Sequence, residues 1–344
     1  TLLNGNNIKK PVLLSMDDMA EREPEWLVPQ YIPKGQITIL AGDGGSGKTI
    51  TWCGLAAAVS SGNKVYFDTV PAEFSKSEPQ KVLFLSSEDS IEYTLRARLR
   101  KAGANLNNIF SVGLRDEAFT EIKFNSPVLK EMIAEVKPAL VVFDPLQAFL
   151  PPDIQMGQRN AMRNCLNSLI GIGEEFGTTS LIVVHTNKRQ GVYGRNRVAD
   201  SADIWDIARS VLIVGRTQDE RRYLSHEKSN YGEPGQTAIF SIDDGVAVFE
   251  EYSDKTDKDF VQERDFNAYQ APQRRDAEKF IIDFLKNGKK PTAELDDAAK
   301  AAGISKSTLG RAKTRLREGG LLGGKSEGFG NNKTFYSYLM DKSL

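Results

Sequence analysis

Gly42-Asp43-Gly44-Gly45-Ser46-Gly47-Lys48-Thr49 has the spacing G-x-x-x-x-G-K-T. An apolar run, Gln36-Ile37-Thr38-Ile39-Leu40-Ala41, predicts a strand feeding this stretch, and Ile50 to Ser61 predicts a helix leaving it. Strand, glycine loop and helix in that order build a phosphate cradle. Gly44, Gly45 and Gly47 carry no Cβ to obstruct backbone N–H groups that turn inward around an anion, and Gly42 and Ser46 belong to the same cradle. The helix start adds its positive end. Lys48 is placed to reach the β- and γ-phosphates, and the Thr49 hydroxyl to ligate Mg²⁺. The competing reading is a chance glycine-rich turn before a helix. It has to produce every fixed position and both flanks by accident. The expected ligands are a nucleoside triphosphate, taken as ATP, and Mg²⁺.

Outward from the loop, Lys81-Val82-Leu83-Phe84-Leu85-Ser86-Ser87 reads as a buried strand ending in Glu88-Asp89-Ser90, with an arginine-rich helix to Ala102 behind it. Ala139-Leu140-Val141-Val142-Phe143-Asp144 places an aspartate at the end of an apolar run. A central parallel strand delivering a carboxylate to a Mg²⁺ shell has this form. A helix N-cap before Pro145 is the other role open to Asp144. A helix over 160–176 leads to Ser180-Leu181-Ile182-Val183-Val184, a strand that ends at His185. Open α/β sheets hold their ligands at that end of their strands. Core packing and sensing of the nucleotide or DNA state are both open to this histidine. The basic loop after it offers Lys188, Arg189, Tyr193 and Arg195, which suit phosphate contact and base stacking along a single strand. Strands at 210–214, 222–227, 237–242 and 246–250 follow, the later ones antiparallel. Strand–helix alternation with trailing strands predicts an α/β fold with a RecA-like core and a mostly parallel sheet, not a dinucleotide fold.

The 344 residues are enough for two domains, and 40% hydrophobic with 26% charged residues is ordinary for a globular chain. No apolar run approaches the ~18 residues that span a bilayer. The first residues lack a basic-then-apolar leader, so a cytoplasmic protein without a membrane partner is expected. Cys53 and Cys165 sit alone in apolar helical settings, which reads as two reduced core cysteines. Trp26 to Pro33 carries two prolines and reads as extended packing at the domain edge, with a base contact from Trp26 or Tyr31 as the lesser option. The expected organisation is an N-terminal extension over 1–34, an ATPase core over 35–250, a charged linker over 251–275 and a separate domain over 276–344. Residues 271–344 hold 15 Lys and Arg against 9 Asp and Glu, in a chain whose total charge is −1. Two helices, a third helix capped by Ser305, and a hairpin through 328–332 predict a winged helix-turn-helix. Lys306, Arg311, Lys313 and Arg317 would lie on its outer faces, for duplex DNA or for a protein partner.

With the phosphate loop, Glu88, Asp144 and His185 in hand, the chain resembles the RecA-like hexameric ATPases. Within them it is most similar to the plasmid RepA helicase group, which also occurs in phages and integrated elements, and more distantly to DnaB-type helicases. Glu227-Lys228-Ser229-Asn230-Tyr231-Gly232 is similar to the S-K-x-N-Y-G stretch of that group. The resemblance implies that Glu88 polarises the attacking water and that His185 couples the γ-phosphate to a DNA-binding loop. It implies that Lys228 reaches a neighbouring subunit's nucleotide, with Arg197 or else Arg209 as the arginine finger. It further implies a homo-oligomer, a hexamer, translocating on single-stranded DNA through a central pore. An ATP-gated DNA-binding regulator that does not unwind is the alternative.

Overall fold

The computed structural model describes residues 13–69, 77–154, 159–187, 192–198, 202–328 and 333–340. In chain order the strands are β1 (Trp26–Val28), β2 (Ile32–Pro33), β3 (Ile37–Gly42), β4 (Val82–Ser86), β5 (Ile109–Ser111), β6 (Leu140–Asp144), β7 (Thr179–His185), β8 (Ser210–Arg216), β9 (Arg222–Ser229), β10 (Thr237–Asp243), β11 (Val246–Ser253), β12 (Lys290–Pro291), β13 (Leu322–Glu327) and β14 (Thr334–Leu339). The helices are α1 (Lys48–Ser61), α2 (Arg96–Lys101), α3 (Pro127–Val136), α4 (Arg159–Phe176), α5 (Ala202–Ile207), α6 (Asp257–Leu285), α7 (Thr292–Ala301) and α8 (Lys306–Glu318).

Nine strands form one sheet in the order β11-β10-β9-β8-β3-β7-β6-β4-β5. From β8 to β5 the pairing is parallel, and β9, β10 and β11 join antiparallel at the other edge. The strand carrying the phosphate loop therefore lies inside the sheet, flanked by β7 and β8. Both faces are covered, which is why the central strands are apolar throughout instead of alternating. The alternation shows in where each side chain goes. Ile37, Ile39, Ala41, Val141, Phe143, Ile182 and Val184 enter one core with α4, while Leu40, Leu140, Val142, Leu181 and Val183 enter the other with α1. Cys53 and Cys165 are buried free thiols in these two cores.

Residues 258–344, with 189–193 and 217–219, group as a second compact unit. There α7, α8 and the end of α6 pack Ala277, Ile281, Leu295, Leu309, Ala312 and Leu316 around one small core, beside the sheet β12-β14-β13. Ser305 caps α8, its Oγ accepting from the Thr308 N–H at 3.2 Å. The tip of the hairpin, 329–332, lies outside the described residues.

One sequence expectation differs here, and another is met. The stretch 251–275 reads as a linker, yet β11 runs to Ser253 and α6 begins at Asp257. Its Glu, Lys, Arg and Gln residues are good helix formers, and Phe260 and Val261 give the start of the helix something to bury. The segment Trp26 to Pro33 forms the β1–β2 pair, with Tyr31 buried and its hydroxyl donating to the Gln236 carbonyl at 2.6 Å. Tyr31 is a packing residue with no face left for a base. Among the described residues no helix is long and apolar enough to cross a membrane.

Candidate nucleotide site

Carboxyl ends of β3, β4, β6 and β7 meet around the start of α1. The turn into that helix needs Gly47, whose φ of +112° is closed to ordinary side chains. Lys48 is nearly buried, and its Nζ donates to the carbonyls of Gly42 and Asp43, both at 2.9 Å. Burial lowers its pKa, against the nearby carboxylates of Asp144, Glu88 and Asp43. Its Nζ also lies 3.4 Å from His185 Nδ1. An ammonium only donates, so Nδ1 accepts and the ring carries its proton on Nε2. From there it faces Glu88 Oε1 at 3.2 Å. Lys48, His185 and Glu88, the latter two partly exposed, thus form one hydrogen-bonded line from the phosphate loop to the end of β4. Of the two roles open to His185, core packing does not describe this partly exposed ring.

Asp144 pairs with Ser86 across the sheet and is 4% exposed. Its Oδ2 accepts from Trp52 Nε1 at 2.9 Å, and the short helix after it has no side-chain cap. The N-cap role is thereby set aside. Desolvation pushes its carboxyl up to about 6, opposed by the Trp52 hydrogen bond. Trp52, one turn after Thr49 on α1, is a site residue that sequence reading missed. Only the fold brings it to a carboxylate 92 positions away.

The residues present fit a nucleotide and its metal. Ser46 Oγ is buried without a hydrogen-bond partner, an orphan in the middle of the cradle, and the Cβ position at Gly44 faces open space. Among the described residues no group of three or more His, Cys, Asp or Glu side chains forms a protein-only metal cage. Mg²⁺ bound with phosphates and waters needs none, since one hydroxyl and one carboxylate suffice.

Other candidates are placed differently. Arg197 is 2% exposed. Its Nη2 pairs with Asp43 Oδ2 at 2.7 Å and its Nη1 with Asp257 Oδ1, so it is held inside its own chain, contrary to the expectation of a finger offered to a neighbour. Arg209 is half-buried at the start of β8. Lys228 Nζ donates to the carbonyls of Trp205 (2.8 Å), Asp206 (3.2 Å) and Ala208 (2.7 Å), closing the end of α5. Arg195 pairs with Asp206 at 2.8 Å, and the exposed ring of Tyr193 lies under the Lys258 ammonium. Lys188 and Arg189 lie outside the described residues. On α8, Lys306, Arg311 and Arg317 are exposed, whereas Lys313 is buried and paired with Asp296, which corrects its placement on an outer face. Arg216 is a further basic residue that sequence reading passed over: its Nη2 donates to the Gly45 carbonyl at 2.9 Å.

A parallel sheet with a glycine loop, lysine and strand-end aspartate at its carboxyl edge defines a phosphate-loop nucleotide-binding protein. A family profile described as AAA domain matches residues 9–191, slightly more than half of the chain. The chain belongs to that AAA domain family. Among solved structures it is similar to the KaiC-like protein PH0186 from the hyperthermophilic archaeon Pyrococcus horikoshii OT3. The identity is 16% and the TM-score 0.45, over 64% of this chain and 91% of that one. A search of curated proteins returned no match.

Proposed function

We propose that the chain is an ATP-driven DNA helicase or translocase of the RepA type, serving replication of a plasmid, phage or integrated element. The observation that carries the ATPase part of this reading is the line Lys48–His185–Glu88 beside buried Asp144. Lys48, now held by two loop carbonyls, would turn to the phosphates on ATP binding, with Ser46, the loop N–H groups and the start of α1 completing the cradle. Thr49 and Asp144 would hold Mg²⁺, which supplies charge neutralisation on the transferred phosphoryl group. Glu88 is exposed at its strand end and free to orient a water, and His185 links that carboxylate to the loop. A change at the phosphates would then be felt at the chain leaving β7, the stretch read as DNA-contacting. The basic α8, with Lys306, Arg311 and Arg317 outward, supports a winged-helix module for duplex DNA or a replication partner.

Burial of Arg197 favours the second reading, an ATP-gated DNA-binding regulator that hydrolyses ATP without unwinding. The test is ATP turnover with and without single-stranded DNA across a range of protein concentrations at moderate salt. Stimulation by DNA and a steep rise with protein concentration are expected of a translocating oligomer. Turnover indifferent to both would leave the regulator. Lys48→Ala should abolish turnover, and wild-type turnover in that variant would refute the site.

A further inference from the structure

Asp43 is an unusual neighbour for a triphosphate. It stands at the first variable position of the phosphate loop, and its carboxylate would oppose an anion unless something cancelled it. The fold cancels it from the interior. Arg197 Nη2 pairs with Asp43 Oδ2 at 2.7 Å, and Asp43 Oδ1 accepts from the Thr186 hydroxyl. The other arm of the same guanidinium pairs with Asp257, the fully buried first residue of α6. Tyr223 closes the cluster: its hydroxyl accepts from Arg197 Nη1 at 3.1 Å and donates to Asp257 Oδ1 at 2.8 Å. The Gly194 N–H donates to Asp257 Oδ2 at 3.0 Å. Gly215 is what lets the Tyr223 ring in, since a Cβ there would sit 2.1 Å from Tyr223 Cζ.

The network reaches the catalytic lysine from two sides. The Asp43 backbone carbonyl is one of the two that hold Lys48 Nζ. Thr186, on the Asp43 carboxylate, directly follows His185, which touches the same Nζ. Burial works against a charged Arg197, yet Asp257 first, then Tyr223 and Asp43, keep its pKa above the ordinary arginine value. It is a permanent cation.

We propose that Arg197 is a positioning residue acting within its own chain: it neutralises Asp43 and fixes the phosphate loop in register with Lys48, so that the loop accepts a nucleoside triphosphate. This rests on the ATP-site reading above. It also makes a prediction opposite to that of a finger. A finger stabilises charge during turnover and, when lost, lowers kcat while leaving ATP binding intact. A neutralising arginine, when lost, leaves a carboxylate facing the phosphates and weakens binding first.

The experiment measures the dissociation constant of ATP with Mg²⁺, together with kcat, for the full chain as wild type, Arg197→Met, Asp43→Asn and the double variant. Arg197→Met should raise the ATP dissociation constant about tenfold, the scale of one uncompensated charge near the ligand. Removing the second charge in the double variant should recover most of that loss, which a merely structural lesion would not allow. Asp43→Asn alone keeps the buried Arg197–Asp257 pair and should bind ATP at least as tightly as wild type. It decides the matter even if Arg197→Met fails to fold. Unchanged ATP affinity in Arg197→Met with kcat lost would overturn the proposal. So would turnover restored by mixing Arg197→Met with Lys48→Ala chains, the mark of an arginine working across subunits. Weakened ATP binding by Asp43→Asn would overturn it equally. A wild type that binds no ATP would instead sink the site reading beneath it.

Discussion

Lowering the pH from 7 to 5 should destabilise the larger unit through His226. The ring lies on β9, 5% exposed, stacked on Tyr31 at 5.4 Å between centroids. The Gly235 N–H donates to Nδ1 at 2.8 Å, so the proton is on Nε2, which faces Ser210 Oγ at 3.1 Å. Ser210 Oγ in turn donates to the Tyr31 carbonyl at 2.6 Å. A second proton on the ring would meet the Gly235 N–H head-on. Desolvation lowers the pKa from 6.5 to about 4. The neutral form is therefore the one that folds. Stability from this residue is fully present above the unfolded value of 6.5 and is lost as pH falls through 4. Between pH 7 and pH 5 the unfolded chain gains most of a proton that the folded chain refuses, a loss of about 2 kcal/mol. All three tryptophans, Trp26, Trp52 and Trp205, belong to the larger unit, so their emission during urea unfolding follows that unit alone. Wild type should lose about 2 kcal/mol more than His226→Gln across this interval. Parallel losses in the two proteins would refute the buried, Nε2-protonated assignment.

Three further outcomes are expected. Trp52→Phe keeps the ring packing against Phe84 but removes the donor to Asp144, leaving a buried carboxylate oxygen short of a partner at a cost of about 1–3 kcal/mol. Half-maximal turnover should then need a different Mg²⁺ concentration from wild type, and an unchanged Mg²⁺ titration would detach Trp52 from the metal site. Gly215→Ala should destabilise the larger unit by about 1–3 kcal/mol, because the Tyr223 ring has to move; an unshifted urea midpoint would show that it moves freely. If α8 meets duplex DNA through its outer face, Lys306→Ala and Arg317→Ala should each lower the slope of log affinity against log salt by about one. Lys313→Ala, paired inward with Asp296, should leave that slope alone and slightly lower the stability of the smaller unit.

The parts of this molecule that were legible in the sequence are those whose physics is local. The phosphate loop is eight consecutive residues. β6 and β7 are apolar runs whose last residues, Asp144 and His185, land at one edge because parallel strands all end there. The cap at Ser305 and the face Leu309–Ala312–Leu316 follow from spacing within one helix. What the sequence could not show was the partner of each charge. Arg197, Arg195, Lys228 and Lys313 look alike in a sequence, as cations available to phosphate. In the fold each has found an acid or a set of carbonyls within its own chain.

For Arg197 the partners are Asp43 and Asp257, 154 and 60 positions away, and no period or motif links them. The same distance hid Trp52 from Asp144. The difference matters for mechanism because a guanidinium held by the buried Asp257 and the partly exposed Asp43 cannot swing to a neighbouring subunit without leaving the buried carboxylate uncompensated, a loss of several kcal/mol. Whatever completes the charge at an intermolecular ATP site must then come from elsewhere. The arginines left to test are the exposed Arg216, already at the phosphate loop, and Arg209, half-buried at the opposite edge of the parallel strands, where its backbone N–H donates to the Ile37 carbonyl. Arg216→Ala and Arg209→Ala, assayed for kcat at saturating ATP, separate them. The residue whose loss lowers kcat with ATP affinity intact is the one acting during turnover, and if neither does so, hydrolysis here proceeds without such an arginine.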